Sequence, residues 1–128
     1  MERETTKQSE DIEIAPDNCP VTYCIKRIGG KWKPVIIYLI RNDCNRFGAM
    51  QRAISGISKQ MLTNQLRELE ADRILERTIY AEIPPRVEYS ITPYGETLLP
   101  IIDAMKAWGE KQMAVFAPAD DADSPAEG

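Results

Sequence analysis

The chain of 128 residues contains no histidine, few aromatic residues and only three cysteines. Without histidine it lacks the most common general base of enzymes and the most common metal ligand of proteins. The cysteines (Cys19, Cys24 and Cys44) show no CxxC spacing, which argues against a zinc site and a disulfide framework and favours a reducing compartment. We therefore expect no metal and no cofactor.

Long apolar runs are also missing. No stretch of about 18 apolar residues is present, so no membrane-spanning segment is expected. The polar, acidic N-terminus lacks the apolar region of a signal peptide, which predicts a cytoplasmic protein. No phosphate-binding loop, nucleophile motif or cluster of carboxylates is visible. Enzymes are therefore the least favoured functional class, and we expect a protein without catalytic activity.

The net charge of −4 is distributed unevenly along the chain. Residues 1–18 carry two basic and six acidic side chains, and residues 117–128 carry no basic and four acidic ones. Residues 19–116 therefore hold fourteen basic and ten acidic groups. A basic body with acidic ends suits contact with phosphate groups, although many domains that bind no nucleic acid have a similar charge.

Composition divides the chain into three parts. Residues 1–17 are expected to be a flexible segment, residues 18–116 one domain, and residues 117–128 a disordered acidic tail. Apolar periodicity and turn residues then place the elements of the domain. The predicted elements are helices opening at Asn18 and ended by Gly29, from near Lys31 to Ile40, from Phe47 to Ile54 and from Lys59 to Asp72, strands at 74–81 and 87–92, and a last helix from Thr92 to about Phe116.

Two of these helices have a more specific prediction. The run Val35–Ile40 is apolar nearly all round, which predicts a central buried helix. Pro100 should kink the last helix or delay its regular part to about residue 100, because proline cannot donate a helical hydrogen bond.

The fourth helix and the hairpin after it are the most informative part of the sequence. Ser58 is a suitable N-cap, and Leu62, Leu66 and Leu69 fall at i, i+4 and i+7, which predicts one buried stripe. A helix followed directly by a hairpin is the outline of a winged helix-turn-helix. In that fold the helix enters a DNA groove and the hairpin, or wing, lies over the backbone beside it.

Polar side chains occupy the other faces of this helix and the tip of the hairpin. They are long or hydrogen-bonding groups that can contact phosphates or base edges. They are Lys59, Gln60, Thr63, Asn64 and Arg67 on the helix and Arg86 beside the tip. An ordinary solvated face is the alternative for the helix residues. A winged-helix module that binds a protein partner is the alternative for the whole surface, but the helix lacks the aromatic anchors of a protein interface.

The last predicted helix carries more apolar residues than a single stripe needs. Such a terminal helix predicts a second surface to cover, most simply a partner subunit, whereas the alternative is that it only closes the domain core. A two-fold dimer would place two DNA-reading helices about one DNA turn apart. The predicted interface residues are Tyr23 on the first helix and Ile101, Met105, Trp108 and Phe116 on the last.

A series of short motifs runs over about residues 18–111. The motifs are Cys19-Pro20, Ile28-Gly29-Gly30-Lys31-Trp32, Arg46-Phe47, Ile57-Ser58, Met61-Leu62-Thr63, Leu66-Arg67-Glu68-Leu69-Glu70, Pro84-Pro85-Arg86-Val87-Glu88-Tyr89, Ser90-Ile91-Thr92-Pro93-Tyr94-Gly95 (with Ile91 in place of a leucine) and Ala107-Trp108-Gly109. Each motif is weak alone, but their shared order is highly specific. In this order they resemble the HxlR-type transcriptional regulators, which are relatives of the MarR regulators.

The resemblance implies a mostly helical α+β fold: a winged helix-turn-helix with a two-stranded wing and N- and C-terminal dimerisation helices. It further implies a homodimer that binds a pseudo-palindromic operator in double-stranded DNA and represses or activates neighbouring genes, and a repressor is expected. By carry-over, the recognition helix is lined by Ser58, Lys59, Gln60, Thr63, Asn64 and Arg67, and Arg86 belongs to the wing. Trp32 is expected to pack in the domain, and Lys31 and Lys33 to add contacts to the DNA backbone.

Cys19 matches the N-terminal cysteine that some members of the family use as a thiol switch. Its position at the start of a helix favours the reactive thiolate, because the helix N-terminus carries a partial positive charge. The alternative is that a small residue simply precedes Pro20 and packs at the interface. The expected signal is accordingly an oxidant or electrophile acting on a cysteine, or a small-molecule effector.

Overall fold

The computed structural model describes residues 12, 13 and 15–116, and they form a mostly helical domain with one antiparallel hairpin. The segment 1–17, apart from residues 12, 13 and 15–17, and the acidic tail 117–128 lie outside the described residues. In chain order the elements are a 3-10 turn (Pro16–Asn18), α1 (Pro20–Ile28), α2 (Lys33–Arg41), α3 (Phe47–Ala53), α4 (Lys59–Ala71), β1 (Leu75–Tyr80), β2 (Arg86–Ile91), α5 (Pro93–Glu96) and α6 (Leu99–Phe116).

The helix boundaries follow the sequence signals closely. Pro20 is the first residue of α1, where its missing N–H costs no hydrogen bond. After Gly29 ends this helix, Gly30 takes a φ of 100°, which glycine adopts without strain. Helix α2 begins at Lys33, two residues later than the near-Lys31 start that the sequence predicted, so that Pro34 falls in its first turn.

The C-terminal helix differs from the single element that was predicted. Thr92 caps a short helix, α5, by accepting a hydrogen bond from the N–H of Gly95 at 2.8 Å. This short helix ends at Glu96, and α6 begins at Leu99 with Pro100 as its second residue. The delayed start that Pro100 predicted is therefore confirmed, and the prediction of one helix from Thr92 is wrong because proline fits only the opening turn.

The core lies between α2, α4 and the base of the hairpin. In α2, Ile36, Ile37 and Ile40 are buried, but Val35 and Tyr38 are exposed, so the prediction of a helix buried all round is wrong for one side. The core residues are Ile28, Ile36, Ile37, Ile40, Met50, Ile54, Ile57, Leu62, Leu66, Leu69, Ile74, Leu75 and Tyr89, and Trp32 packs partly buried against them.

The hairpin projects from this core. Its strands pair in register from Leu75 with Ile91 to Tyr80 with Arg86. In β1 only Leu75 is buried, and all five following residues are exposed. Strand β1 is one residue shorter at each end than the predicted range 74–81, and β2 lies one residue earlier in the chain than the predicted range 87–92.

Helix α6 rests on the body through its first two turns. No residue of α6 is fully buried, although Ile102 packs against the core. The guanidinium of Arg41 on α2 binds the Asp103 carboxylate through two hydrogen bonds of 2.6 and 3.1 Å, and donation by Arg41 lowers the pKa of that carboxyl. Within the part of the chain that the structure describes, no helix is long and apolar enough to span a bilayer.

Candidate nucleic-acid interface

Helix α4 presents a polar face opposite a fully buried one. Ser58 is the N-cap of this helix, as predicted. Its hydroxyl oxygen accepts a hydrogen bond from the N–H of Met61 at 3.0 Å. Leu62, Leu66 and Leu69 are at most 1% exposed and hold the helix on the core. The leucine stripe predicted from the sequence is therefore confirmed.

The polar residues predicted to contact DNA do not all lie on one line. Gln60, Asn64 and Arg67 are exposed, and their i, i+4, i+7 spacing places them together on the face opposite the leucines. Lys59 and Thr63 lie at the edge of that face. The Thr63 hydroxyl donates to the Lys59 carbonyl oxygen at 2.9 Å, so its proton is already used inside the helix.

Arg86, the predicted wing cation, is held inside the hairpin. Its guanidinium lies 3.1 Å from the Glu82 carboxylate and 2.8 Å from the Glu88 carboxylate. The same group stacks on the Tyr80 ring at 3.9 Å from the centroid. Burial acts to lower the pKa of Arg86, but the two carboxylates together outweigh it and raise the pKa. The charge of Arg86 is therefore largely neutralised within the protein.

Lys33 contradicts the expectation of a contact to the DNA backbone. Lys33 is only 6% exposed, and its Nζ lies 2.7 Å from a carboxylate oxygen of Glu68 on α4. A weaker contact of 3.5 Å joins Nζ to the Lys26 carbonyl oxygen at the end of α1. The expectation is wrong because the first turn of α2 points this side chain inward. Lys31 is exposed and lies over the Trp32 ring.

A crevice between α4 and the wing contains groups that the sequence analysis did not single out. It has a volume of about 210 Å³ and is lined by Phe47, Thr63, Arg67, Glu70, Arg77 and Tyr89. Arg77 and Tyr89 are cross-strand partners, and Arg77 shares the inner face of β1 with the buried Leu75. The alternation of inward-facing and outward-facing residues along β1 places Arg77 on the same face as Leu75. Pairing Arg77 with Tyr89 also required the register of the hairpin.

Cys19 occupies the N-cap of α1, at the start of the helix as the sequence analysis expected, and it is partly exposed. The pKa of its thiol is lowered because the Thr22 N–H, the Thr22 hydroxyl and the Val21 N–H can all donate to the thiolate. Cys24 and Cys44 are also partly exposed, and within the described residues all three cysteines are free thiols.

The predicted interface residues are exposed in the single chain. Tyr23 on α1 is 52% exposed and Trp108 on α6 is 69% exposed. Ile101, Met105 and Trp108 follow an i, i+4, i+7 pattern, so they lie together on one side of α6. Phe116 lies near the same side and is exposed as well. An apolar face of this extent is unusual on a monomer.

Comparison with known proteins gives the family. A family model described as HxlR-like helix-turn-helix matches residues 27–116. The transcriptional regulator YybR of Bacillus subtilis (strain 168), described as an uncharacterized HTH-type regulator, is 46% identical over 110 residues, which are 84% of this chain and 88% of YybR.

Solved structures of transcriptional regulators are also similar to this chain. The redox regulator HypR in its reduced form is 46% identical with a TM-score of 0.72, over 77% of this chain and 98% of HypR, and its oxidized form has also been solved. The reduced form of YodB from B. subtilis is 33% identical with a TM-score of 0.63, over 73% of this chain and 92% of YodB.

These likenesses confirm the winged-helix fold expected from the sequence, with the hairpin as its wing. They also confirm the expected class, since the similar proteins are transcriptional regulators and not enzymes. The chain therefore belongs to the HxlR-like helix-turn-helix family of DNA-binding transcriptional regulators.

Proposed function

We propose that this protein is a homodimeric repressor that acts in the cytoplasm on a pseudo-palindromic operator and is released by an oxidant or electrophile that modifies Cys19. The observation that carries the proposal is the exposed face of α4. Gln60, Asn64 and Arg67 lie there at i, i+4 and i+7, while three leucines fix the opposite face to the core.

We assign base reading to the side chains of Gln60, Asn64 and Arg67. Amide groups such as those of Gln60 and Asn64 pair with adenine through two hydrogen bonds, and an arginine such as Arg67 pairs with guanine in the same way. Because all three project from one side of a firmly packed helix, they can enter one major groove together.

Phosphate contacts come from the edges of this face. Lys59 is exposed at the start of α4, and among the described residues it has no carboxylate partner. Ser58 keeps its hydroxyl proton for a phosphate, since its oxygen only accepts within the helix cap. Thr63 contributes van der Waals contact. Arg86 must leave Glu82 or Glu88 to reach a phosphate, so we assign it a smaller share of the binding.

The dimer uses the apolar side of α6 together with α1. Tyr23, Ile101, Met105, Trp108 and Phe116 leave the apolar surface that a partner subunit would cover. Since α6 is held to the body by the Arg41–Asp103 ion pair, a change at the interface would alter the spacing of the two α4 helices.

The thiol switch rests on the position of Cys19. The lowered pKa gives this cysteine more thiolate at neutral pH, and the thiolate is the form that reacts with oxidants and electrophiles. HypR, a redox regulator, has been solved in oxidized and reduced forms, which favours a redox signal for this relative too. A small-molecule effector is the other signal considered.

Selection of genomic DNA fragments by the purified protein, with and without diamide, tests the proposal. We expect the retained fragments to share a two-fold symmetric motif and to be lost after treatment. Cys19→Ser should retain the same fragments under both conditions. Fragments without a common motif would contradict operator binding, and release of the Cys19→Ser protein by diamide would contradict the thiol switch.

A further inference from the structure

The Tyr89 residue is mostly buried and lines the crevice between α4 and the wing. Tyr89 is only 9% exposed, and its backbone N–H donates to the Asn45 carbonyl oxygen at 3.0 Å. Among the residues that the structure describes, no atom forms a hydrogen bond with its hydroxyl. The hydroxyl is only partly enclosed, so it is free to donate to a ligand that enters the crevice. The crevice between α4 and the wing, which Tyr89 lines, is the place where a partner would enter.

The surroundings of this hydroxyl are predominantly cationic. Arg67 and Arg77 line the crevice, and Glu70 is its only acidic residue. The Nε of Arg77 lies 3.6 Å from the Glu70 carboxylate, which is too long for a hydrogen bond, so the donors of Arg77 stay largely unused. The Arg77 side chain is about half exposed and can turn toward a ligand.

Protonation keeps the phenol able to donate. Burial raises the pKa of Tyr89, and the Glu70 charge raises it further, while Arg77 and Arg67 act in the opposite direction. The phenol and the two guanidinium groups supply hydrogen-bond donors and positive charge, which together outweigh the single carboxylate of Glu70 among the lining residues. That combination suits an anion with several acceptor oxygens.

We propose that the crevice binds one phosphodiester group of the DNA backbone in each half-site, held by Tyr89 and Arg77 and drawn in by the charge of Arg67. The inference rests on the proposed function, because the crevice lies beside the face of α4 assigned to base reading. A strand that passes between α4 and the wing brings its phosphates to this position. The phosphate would replace Glu70 as the partner of Arg77.

The assignment differs from base reading in what it predicts. A phosphate contact positions the protein without distinguishing sequences, and it contributes to the salt dependence of binding. Loss of the phosphate contact in the crevice should therefore weaken binding to the operator and to a scrambled duplex by the same factor.

Fluorescence-anisotropy titrations of three variants on both duplexes, at several salt concentrations, test the inference. Tyr89→Phe removes only the hydroxyl, and Arg77→Gln removes one charge from the crevice. Arg73→Gln is the matched control, because it removes one charge from an exposed arginine outside the crevice. Thermal unfolding of each variant checks that the fold is intact, and Tyr89→Phe should be as stable as the wild type.

We expect Arg77→Gln to weaken binding to both duplexes by roughly tenfold and to reduce the salt slope by about 1.8, which is about 0.9 for each of the two half-sites, and Tyr89→Phe to weaken both by roughly fivefold. Arg73→Gln should change neither. A neutral methylphosphonate at the contacted operator phosphate should weaken the wild type but add little to the loss in either crevice variant.

Two results would overturn the inference in distinguishable ways. Wild-type affinity and salt slope in both crevice variants, with the full methylphosphonate effect retained, would overturn the phosphate site alone. A wild-type protein that binds no duplex at any salt concentration would overturn the proposed function and the phosphate site together.

Discussion

The ammonium of Lys33 lies 2.7 Å from the Glu68 carboxylate and so joins the start of α2 to α4, the helix that we propose reads DNA. Lys33 is buried, whereas the Glu68 side chain is more than half exposed. The exposed partner can be removed without opening a cavity, but its removal leaves a buried positive charge. The pair therefore adds a polar contact between α2 and α4 to the apolar packing of the α4 leucines.

Replacing Glu68 by glutamine should destabilise the protein by roughly 1–3 kcal/mol, less than the loss for a fully buried pair because water reaches Glu68. Lys33→Met, which removes the charge and keeps the apolar stem, should restore stability in the double variant. Denaturant unfolding measures both. An unchanged unfolding midpoint for Glu68→Gln would show that the ion pair adds nothing.

Gly95 should tolerate no side chain. A Cβ at this position would collide with the Ile74 carbonyl oxygen and come within 3.0 Å of the Ile91 side chain. We expect Gly95→Ala to lower the free energy of unfolding by about 1–3 kcal/mol. Gly48→Ala is the control: its Cβ would meet only the movable end of Arg52, so it should be neutral or slightly stabilising. Equal stability of both variants would contradict the close contact.

The Cys19 thiol should react with iodoacetamide at a lower pH than an ordinary cysteine. In a protein with Cys24→Ser and Cys44→Ser, the alkylation rate should reach half its maximum below the usual thiol pKa, since the pKa of Cys19 is lowered chiefly by the Thr22 N–H. Thr22→Val, which removes the second donor, should shift this midpoint upward. A midpoint at the ordinary value, unmoved by Thr22→Val, would contradict the account of Cys19.

The apolar side of α6 should control oligomeric state without affecting the fold of the monomer. Trp108→Glu places a charge in the proposed interface and should convert the dimer to a folded monomer in sedimentation velocity at micromolar concentration. Ile83→Glu is the control, because Ile83 is fully exposed in the wing, far along the chain from α6. A Trp108→Glu protein that still sediments as a dimer would exclude this side of α6.

Sequence patterns predicted what depends on local spacing. The leucines of α4, the cap at Ser58 and the proline at the start of α1 need only helical periodicity and capping chemistry, and each is confirmed. The delayed start of α6 followed from Pro100 in the same way.

Contacts between distant segments were not predictable by these patterns. No residue close to Lys33 in the sequence indicates its contact with Glu68, so Lys33 was expected at the surface. Arg77 and Tyr89 meet only through the register of the hairpin, and Arg86 was read as a free cation because Glu82 and Glu88 are ordinary neighbours in sequence. The placement of the candidate site on α4 therefore stays a prediction made from local patterns, while the pairing of the surrounding charges required the folded structure.

The central claim is that the exposed face of α4 reads bases. Anisotropy titration of Arg67→Ala on the selected operator and on a scrambled duplex at one salt concentration tests it most directly. We predict a loss of about 1–3 kcal/mol on the operator and a clearly smaller loss on the scrambled duplex, so that the ratio of the two affinities falls. Unchanged operator affinity, or an equal loss on both duplexes, would contradict base reading by Arg67.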